Sequence, residues 1–267
     1  MICKDNRSIL YLYFLVNELL FLDFIYFVWM YFLSIVIPLY NEEQLVVEVI
    51  EQIRAVQFPS SVTNYEIIVV DDCSADDSFS NVSSIANSFD NLRIIQHDRN
   101  MGKGKAVRTG MEAARGNIFL IQDSDLELRP ADIPGMINCM SELNVEFVNG
   151  SRYMAGVLRP LSSYTRYLGN RIFTSLTAIV INVKITDMAC GYKLIHRNLY
   201  EKINLTENRF GFEAELIIKA LRIKRNNIAE VPVRYFPRNE GEGKKLRNSD
   251  AFKILWTIIK FGLLRVK

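Results

Sequence analysis

From residue 31 onward, short unbroken apolar runs alternate with helical patterns, and that alternation leaves few folds open to the chain. Residues 34–39, 65–70, 92–96 and 117–122 read as strands, the first extending back to residue 31. Residues 43–56 place Val46, Val49, Ile50 and Ile53 on one helical face, and 76–89 and 103–114 carry similar patterns. The order predicts an α/β fold with a mostly parallel central sheet flanked by helices. Such sheets bind ligands at the carboxyl ends of their strands. That rule sets Pro38 to Glu42, Asp71 with Asp72, and Asp123 to Glu127 along one crevice. The second half is more mixed, with strands expected at 145–150 and 228–236, a strand or extended segment at 187–196, and helices at 163–181, 212–224 and 250–264. The polar, Gly-rich stretch 239–245 reads as a mobile loop.

The fourth run ends in carboxylates at alternate positions, Asp123, Asp125 and Glu127. In extended chain they share one face, where three hard oxygen donors repel one another unless a cation such as Mg²⁺ or Mn²⁺ lies among them. The alternative is a solvated acidic turn before the next helix. Gly102-Lys103-Gly104-Lys105 opens a helix whose amides and positive end suit a phosphate. The P-loop spacing is absent, and an ordinary helix-start turn explains the glycines equally well.

Composition, 49% hydrophobic and 23% charged, fits a globular protein. Net charge is only +2, so the total offers no argument for nucleic acid. Yet residues 222–267 hold twelve basic and four acidic side chains, a basic tail suited to an anionic surface. Its last helix, about 249–267, sets Phe252, Leu255, Trp256, Ile259 and Leu263 beside Lys253, Lys260 and Arg265; it suits either an anionic membrane or packing on the main domain. Cys3, Cys73, Cys139 and Cys190 form no zinc-ligand pattern. His97 and His196 read as local hydrogen-bonding residues.

Residues 9–33 are apolar enough to consider as a membrane span. Glu18 and Asp23 each cost about 2.5–3.5 kcal/mol at a helix centre, and the Leu, Ile, Phe and Val side chains return about 0.3–0.6 each, so insertion is close to neutral. Residues 1–29 are therefore either a membrane segment or an extension upstream of a domain spanning 30–248.

Four motifs occur in one order: Pro38-Leu39-Tyr40-Asn41-Glu42-Glu43, Val69-Val70-Asp71-Asp72-Cys73-Ser74, Asn100 to Lys105, and Gln122 to Glu127. With Gly150-Ser151-Arg152-Tyr153, Leu168-Gly169-Asn170-Arg171 and Thr186-Asp187-Met188, the chain resembles inverting glycosyltransferases of family two. The resemblance is strongest to the branch holding dolichyl-phosphate mannose and glucose synthases and their bacterial relatives. It implies a GT-A fold and transfer of a hexose from UDP-glucose or GDP-mannose to a polyprenyl or dolichyl phosphate. It further implies that Pro38, Tyr40 and Glu42 wall the nucleotide pocket, with Gly104 and Lys105 beside the donor and Asp71 or Asp72 reading the base or ribose. Asp123, Asp125 and Glu127 would hold Mg²⁺ or Mn²⁺ on the diphosphate, and Arg152 and Arg171 would grip the acceptor phosphate. Asp187 would orient Arg171, or act as a base if the acceptor were a hydroxyl. The place implied is the cytoplasmic face of a membrane, peripheral or held by one N-terminal anchor. The competing expectations are a hydroxyl acceptor in polysaccharide or glycolipid synthesis, and a non-catalytic nucleotide-sugar-binding scaffold.

Overall fold

The computed structural model describes residues 30–156, 163–209, 211–223, 227–238 and 248–265. The apolar leader, the 239–245 stretch and Phe210 lie outside these residues. Seven strands form one sheet: β1 (Tyr31–Leu39), β2 (Val62–Asp71), β3 (Leu92–Gln96), β4 (Ile118–Ile121), β5 (Phe147–Ser151), β6 (Lys193–His196) and β7 (Ile228–Pro232), in the order β3-β2-β1-β4-β6-β5-β7. Only β6 runs against its neighbours, β4 and β5. The other pairings are parallel.

The β-strands read as continuous apolar runs because both faces are covered, as parallel sheets require. Leu33, Ile35, Ile37 and Leu39 pack on one side with α1 (Val46–Arg54) and α4 (Ile133–Leu143). Val36, Ile68, Val70 and Phe119 pack on the other with α3 (Lys103–Ala113) and α7 (Phe212–Ile223). The second helix, α2 (Ser78–Ala86), follows β2. Helix α5 (Tyr164–Ile181) stops at Asn182 in the left-handed conformation, and α4 at Asn144 in the same way. A single turn, α6 (Arg197–Tyr200), follows β6, and α8 (Asn248–Thr257) runs into a π-helical stretch, Ile258–Leu263.

Pro38 sits in a central strand, where a missing N–H is ordinarily costly. Gln122 N donates to Val36 O on the β4 side, so two residues on Pro38 faces the same way. Pairing with β4 has already ended at Val36, and no ladder bond is lost. Two expected strands are shorter in the structure. Within 187–196 the strand is Lys193–His196, and within 228–236 it is Ile228–Pro232.

Candidate active site

Parallel pairing brings the carboxyl ends of β1, β2, β4, β5 and β7 to one edge of the sheet. The first wall there is a pair of interlocked loops. Asn41 N donates to Ser74 Oγ (3.0 Å), Ala75 N to Asn41 Oδ1 (2.8 Å) and Glu42 N to Ser78 Oγ (2.8 Å), which ties the loop after β1 to the loop after β2. Pro38 is buried at this end of β1 and Tyr40 is half-buried just beyond it.

Asp71 and Asp72, at the end of β2, are both held by hydrogen bonds from neighbouring loops. Asp71, fully buried, accepts from Ser74 Oγ (2.5 Å) and Gln96 Nε2 (3.1 Å). Asp72, 3% exposed, accepts from Met101 N (2.8 Å) and Gly102 N (2.7 Å), with His97 Nδ1 at 2.8 Å. Both carboxylates organise loops. Asp72 fixes the glycine-lysine turn from which α3 starts, and Gly102 is needed there at φ 94° because a Cβ would lie 2.5 Å from Asn208 O. His97, bonded also to Thr109 Oγ1 at 3.0 Å, has the local role expected of it. His196 accepts from Asn198 N at 3.2 Å through Nδ1.

From that turn the two lysines diverge. Gly104 is buried against Glu207, Asn208 and Phe212, where a Cβ would lie 2.5 Å from Glu207 O, and among the described residues Lys105 reaches toward Glu112 at 4.0 Å. Lys103 is the side chain that enters the crevice, 2.7 Å from Asp123 Oδ1 and 2.8 Å from Glu213 Oε1. Burial would lower its pKa, but the two carboxylates outweigh that and hold it above the ordinary lysine range. The motif gave sight of the lysines, but only the helix phase selects between them.

The carboxylate run does not form the shared face expected of extended chain. β4 ends at Ile121, and the following residues turn, with Leu126 left-handed at φ 56°. Buried Gln122 anchors the turn by donating to Leu128 O at 3.2 Å and accepting from Tyr192 Oη at 2.6 Å. Each acid then finds partners, and Arg238 serves two of them. Asp123 meets Lys103; Asp125 Oδ2 accepts from Arg238 NH2 at 3.0 Å; Glu127 accepts from Tyr235 Oη at 3.1 Å and Arg238 N at 3.0 Å. Arg238 also grips Glu42 with two bonds, 2.9 and 3.0 Å, a fork no motif in the sequence pointed to. It joins the loops after β1, β4 and β7.

At the end of β5, Arg152 donates through Nε (2.7 Å) and NH2 (2.9 Å) to Asp187, whose Oδ2 also takes the Arg152 N–H at 3.1 Å. Asn170 Nδ2 supplies a further bond to Asp187 at 3.0 Å. Asp187 therefore orients Arg152 rather than Arg171, which lies exposed on the outer side of α5. Burial pushes the Asp187 carboxyl up, but the charge and hydrogen bonds of Arg152 bring it below the usual carboxylate range, the opposite of what a general base requires. The Tyr235 ring, 5.1 Å from the Arg152 guanidinium, stands between this pair and Glu127.

The description "Glycosyl transferase family 2" matches residues 34–204, a span holding all four motifs and the Arg152–Asp187 pair. The chain belongs to glycosyl transferase family 2. Among relatives of this glycosyltransferase, a dolichyl-phosphate beta-glucosyltransferase of Trichomonas vaginalis is 28% identical over 87% of this chain and 73% of its own length. A dolichol-phosphate mannosyltransferase of Pyrococcus furiosus is 28% identical over 83% of this chain, which spans only 61% of that protein. Glucosyl-3-phosphoglycerate synthase from Mycobacterium tuberculosis, solved with Mn²⁺, UDP and glucosyl-3-phosphoglycerate, superposes with a TM-score of 0.66 at 20% identity, covering 86% of this chain and 80% of that one. The fold is of the GT-A type, as the family resemblance implied, and its sheet is mostly parallel, as the alternation of runs and helices predicted.

In this glycosyltransferase the carboxylates of Asp123, Asp125 and Glu127 lie close enough to act on one another. Burial, followed by the like charges of Asp123 and Glu127, pushes Asp125 up to about 7 in spite of Arg238. A divalent cation fits such a donor set. Among the described residues, however, no three side chains stand ready as a protein-only cage. The arrangement suits a metal bound by one or two carboxylates and completed by phosphate oxygens and water, as Mg²⁺ prefers.

Proposed function

We propose that this chain moves a hexose, with inversion, from a nucleotide sugar to a polyprenyl or dolichyl phosphate at the cytoplasmic face of a membrane. The observation that carries the reading is the Arg152–Asp187 pair. The acceptor side offers a guanidinium held in place by a buried carboxylate that is itself unavailable as a base. A hydroxyl acceptor needs a base; a phosphate is already an anion and needs a positive group to position it. The names of the two dolichyl-phosphate transferases support the same acceptor class.

The donor lies at the carboxyl ends of β1, β2 and β4, beside Pro38, Tyr40 and Glu42. Asp125, with Asp123 or Glu127, would hold Mg²⁺ or Mn²⁺ there, and the bound ion supplies charge that stabilises the departing nucleoside diphosphate. Lys103 fixes the direction of Asp123, and Arg238 holds the loops after β1 and β4 at a set separation. Arg152 presents the acceptor oxygen, which attacks the anomeric carbon as the sugar–phosphate bond breaks and positive charge develops on the ring.

Incubating the full chain with labelled UDP-glucose or GDP-mannose, Mg²⁺ and a short polyprenyl phosphate tests this. The expected product is a labelled, organic-extractable lipid, and Arg152→Ala lowers kcat/KM for the acceptor by about 100-fold or more while donor binding persists. Product formed only with hydroxyl acceptors overturns the acceptor assignment.

A further inference from the structure

Because β6 runs against β4 and β5, its first residue, not its last, stands at the edge of the sheet where the crevice opens. That residue is Lys193, paired with Ile121 at the end of β4 on one side and with Asn149 near the end of β5 on the other. The donor-side acids begin two residues after Ile121, and Arg152 follows Asn149 by three, so Lys193 sits between the two halves of the crevice. Its side chain is fully buried, and Nζ donates to Asn149 Oδ1 (2.7 Å), Cys190 O (2.9 Å) and Met188 O (3.2 Å). Three acceptors match the three N–H donors of an ammonium, one more than a neutral amine has. All three are uncharged oxygens, and burial pulls the lysine below its ordinary pKa range, so the group is held there at a cost that a methionine of similar length would avoid.

What that ammonium holds is the irregular stretch leading into β6. Lys193 takes the carbonyls of Met188 and Cys190. Its cross-strand partner Asn149 donates to Asp187 O (2.8 Å) and to Glu230 Oε1 (2.9 Å), and the other Glu230 oxygen accepts from Thr186 N (2.8 Å). The backbone at Asp187 is therefore fastened on both sides, by Glu230 before it and by Lys193 after it. Downstream, the Tyr192 hydroxyl reaches Gln122 (2.6 Å), and Gly191 lies so near Asp123 that a Cβ there would be 2.1 Å from Oδ2. The segment thus rests on the donor-side turn at one end and carries, at the other, the carboxylate that orients Arg152. A displacement of Met188 passes directly to its neighbour Asp187.

We propose that Lys193 is a positioning residue for the acceptor: through the carbonyls of Met188 and Cys190 it sets where Asp187 holds Arg152 relative to the donor-side acids. The proposal deepens the lipid-phosphate reading and rests on it, because Arg152 is the group that presents the acceptor. Donor binding keeps its own supports, Lys103 on Asp123 and Gln122 on Leu128 O, and does not depend on the lysine.

Lys193→Met keeps the length of the side chain and removes its donors, while Lys193→Arg keeps donors and charge. In the full chain with Mg²⁺, labelled donor and a short polyprenyl phosphate, Lys193→Met should lower kcat/KM for the acceptor by about 10–100-fold, with the affinity for UDP and Mg²⁺ within about threefold of the parent. Lys193→Arg should recover most of that loss. Added to Arg152→Ala, Lys193→Met should deepen the loss by less than about threefold, because both changes act through one guanidinium. Where the methionine variant does not fold, Lys193→Gln, which keeps two of the donors, carries the same cycle. A readout independent of turnover is the Arg152 Nε–H, whose NMR signal is identified by its absence from Arg152→Ala; it should exchange with solvent about tenfold faster or more in the Lys193 variant. A double-variant loss equal to the product of the single losses, or an unchanged exchange rate, would overturn the role of Lys193. Faster exchange together with transfer by the parent only to hydroxyl acceptors would overturn the lipid-phosphate reading alone.

Discussion

Arg152 and Asp187 illustrate how one buried pair controls both stability and chemistry. The Asp187 carboxylate is wholly buried and accepts from the Arg152 backbone, the Arg152 side chain and Asn170. Its folded pKa lies below the ordinary value, so the ionised form is what the fold favours. Its contribution is complete above the unfolded pKa of about 4 and is lost as pH falls through the folded one. Asp187→Asn leaves the Arg152 charge uncompensated, and a loss of about 2–3 kcal/mol is expected at pH 7. In urea titrations at successive pH values, the gap between variant and parent should narrow below about pH 4. A gap unchanged at acid pH would mean that the charge of Asp187 is not what stabilises the pair. Sequence resemblance reached both residues but joined Asp187 to Arg171. The choice depends on which face of α5 turns inward, and the face with Asn170 does.

At the scale of elements, single side chains do the stitching. Lys103, in the first turn of α3, bridges the loop after β4 through Asp123 and the start of α7 through Glu213. Removing it leaves two carboxylates without their cation, whereas Lys105 reaches only an exposed Glu112. Lys103→Met should therefore cost about 3 kcal/mol in chemical denaturation. Lys105→Met should stay within about 0.5 kcal/mol of the parent. Equal costs would show that the bridge contributes nothing. Two residues apart in sequence, these lysines point about 200° apart around a helix, a difference that becomes meaningful only once both neighbours of the helix are known.

For the whole molecule, the crevice is assembled from five strand ends, and the carboxylates gathered after β4 are the charge that binding must satisfy. A nucleoside diphosphate alone brings more negative charge to Asp123, Asp125 and Glu127; with Mg²⁺ it brings the counter-charge as well. UDP or GDP with Mg²⁺ should raise the melting temperature by an amount equivalent to about 2.7 kcal/mol at a hundredfold excess over Kd, and either component alone by much less. A chelator should reverse the gain. An equal shift from nucleotide without metal would remove the cation from the account.

The sequence by itself determined the architecture and its chemical class. The continuous apolar runs at 34–39, 65–70 and 117–122 become strands covered on both faces, and the acids placed after them fall at the carboxyl edge of a parallel sheet. Only the tertiary structure decided which acid meets which cation. Arg238 joins Glu42 across 196 positions of chain, Tyr235 reaches Glu127, and Gly191 leaves room for Asp123, whose Oδ2 would lie 2.1 Å from any Cβ there. Spacing in sequence reports on local geometry, and these contacts arise from packing between elements remote in the chain. The orientation of α5 belongs to the same class: which of its faces turns inward was set by where Asn170 and Thr174 found partners, at Asp187 and Met188.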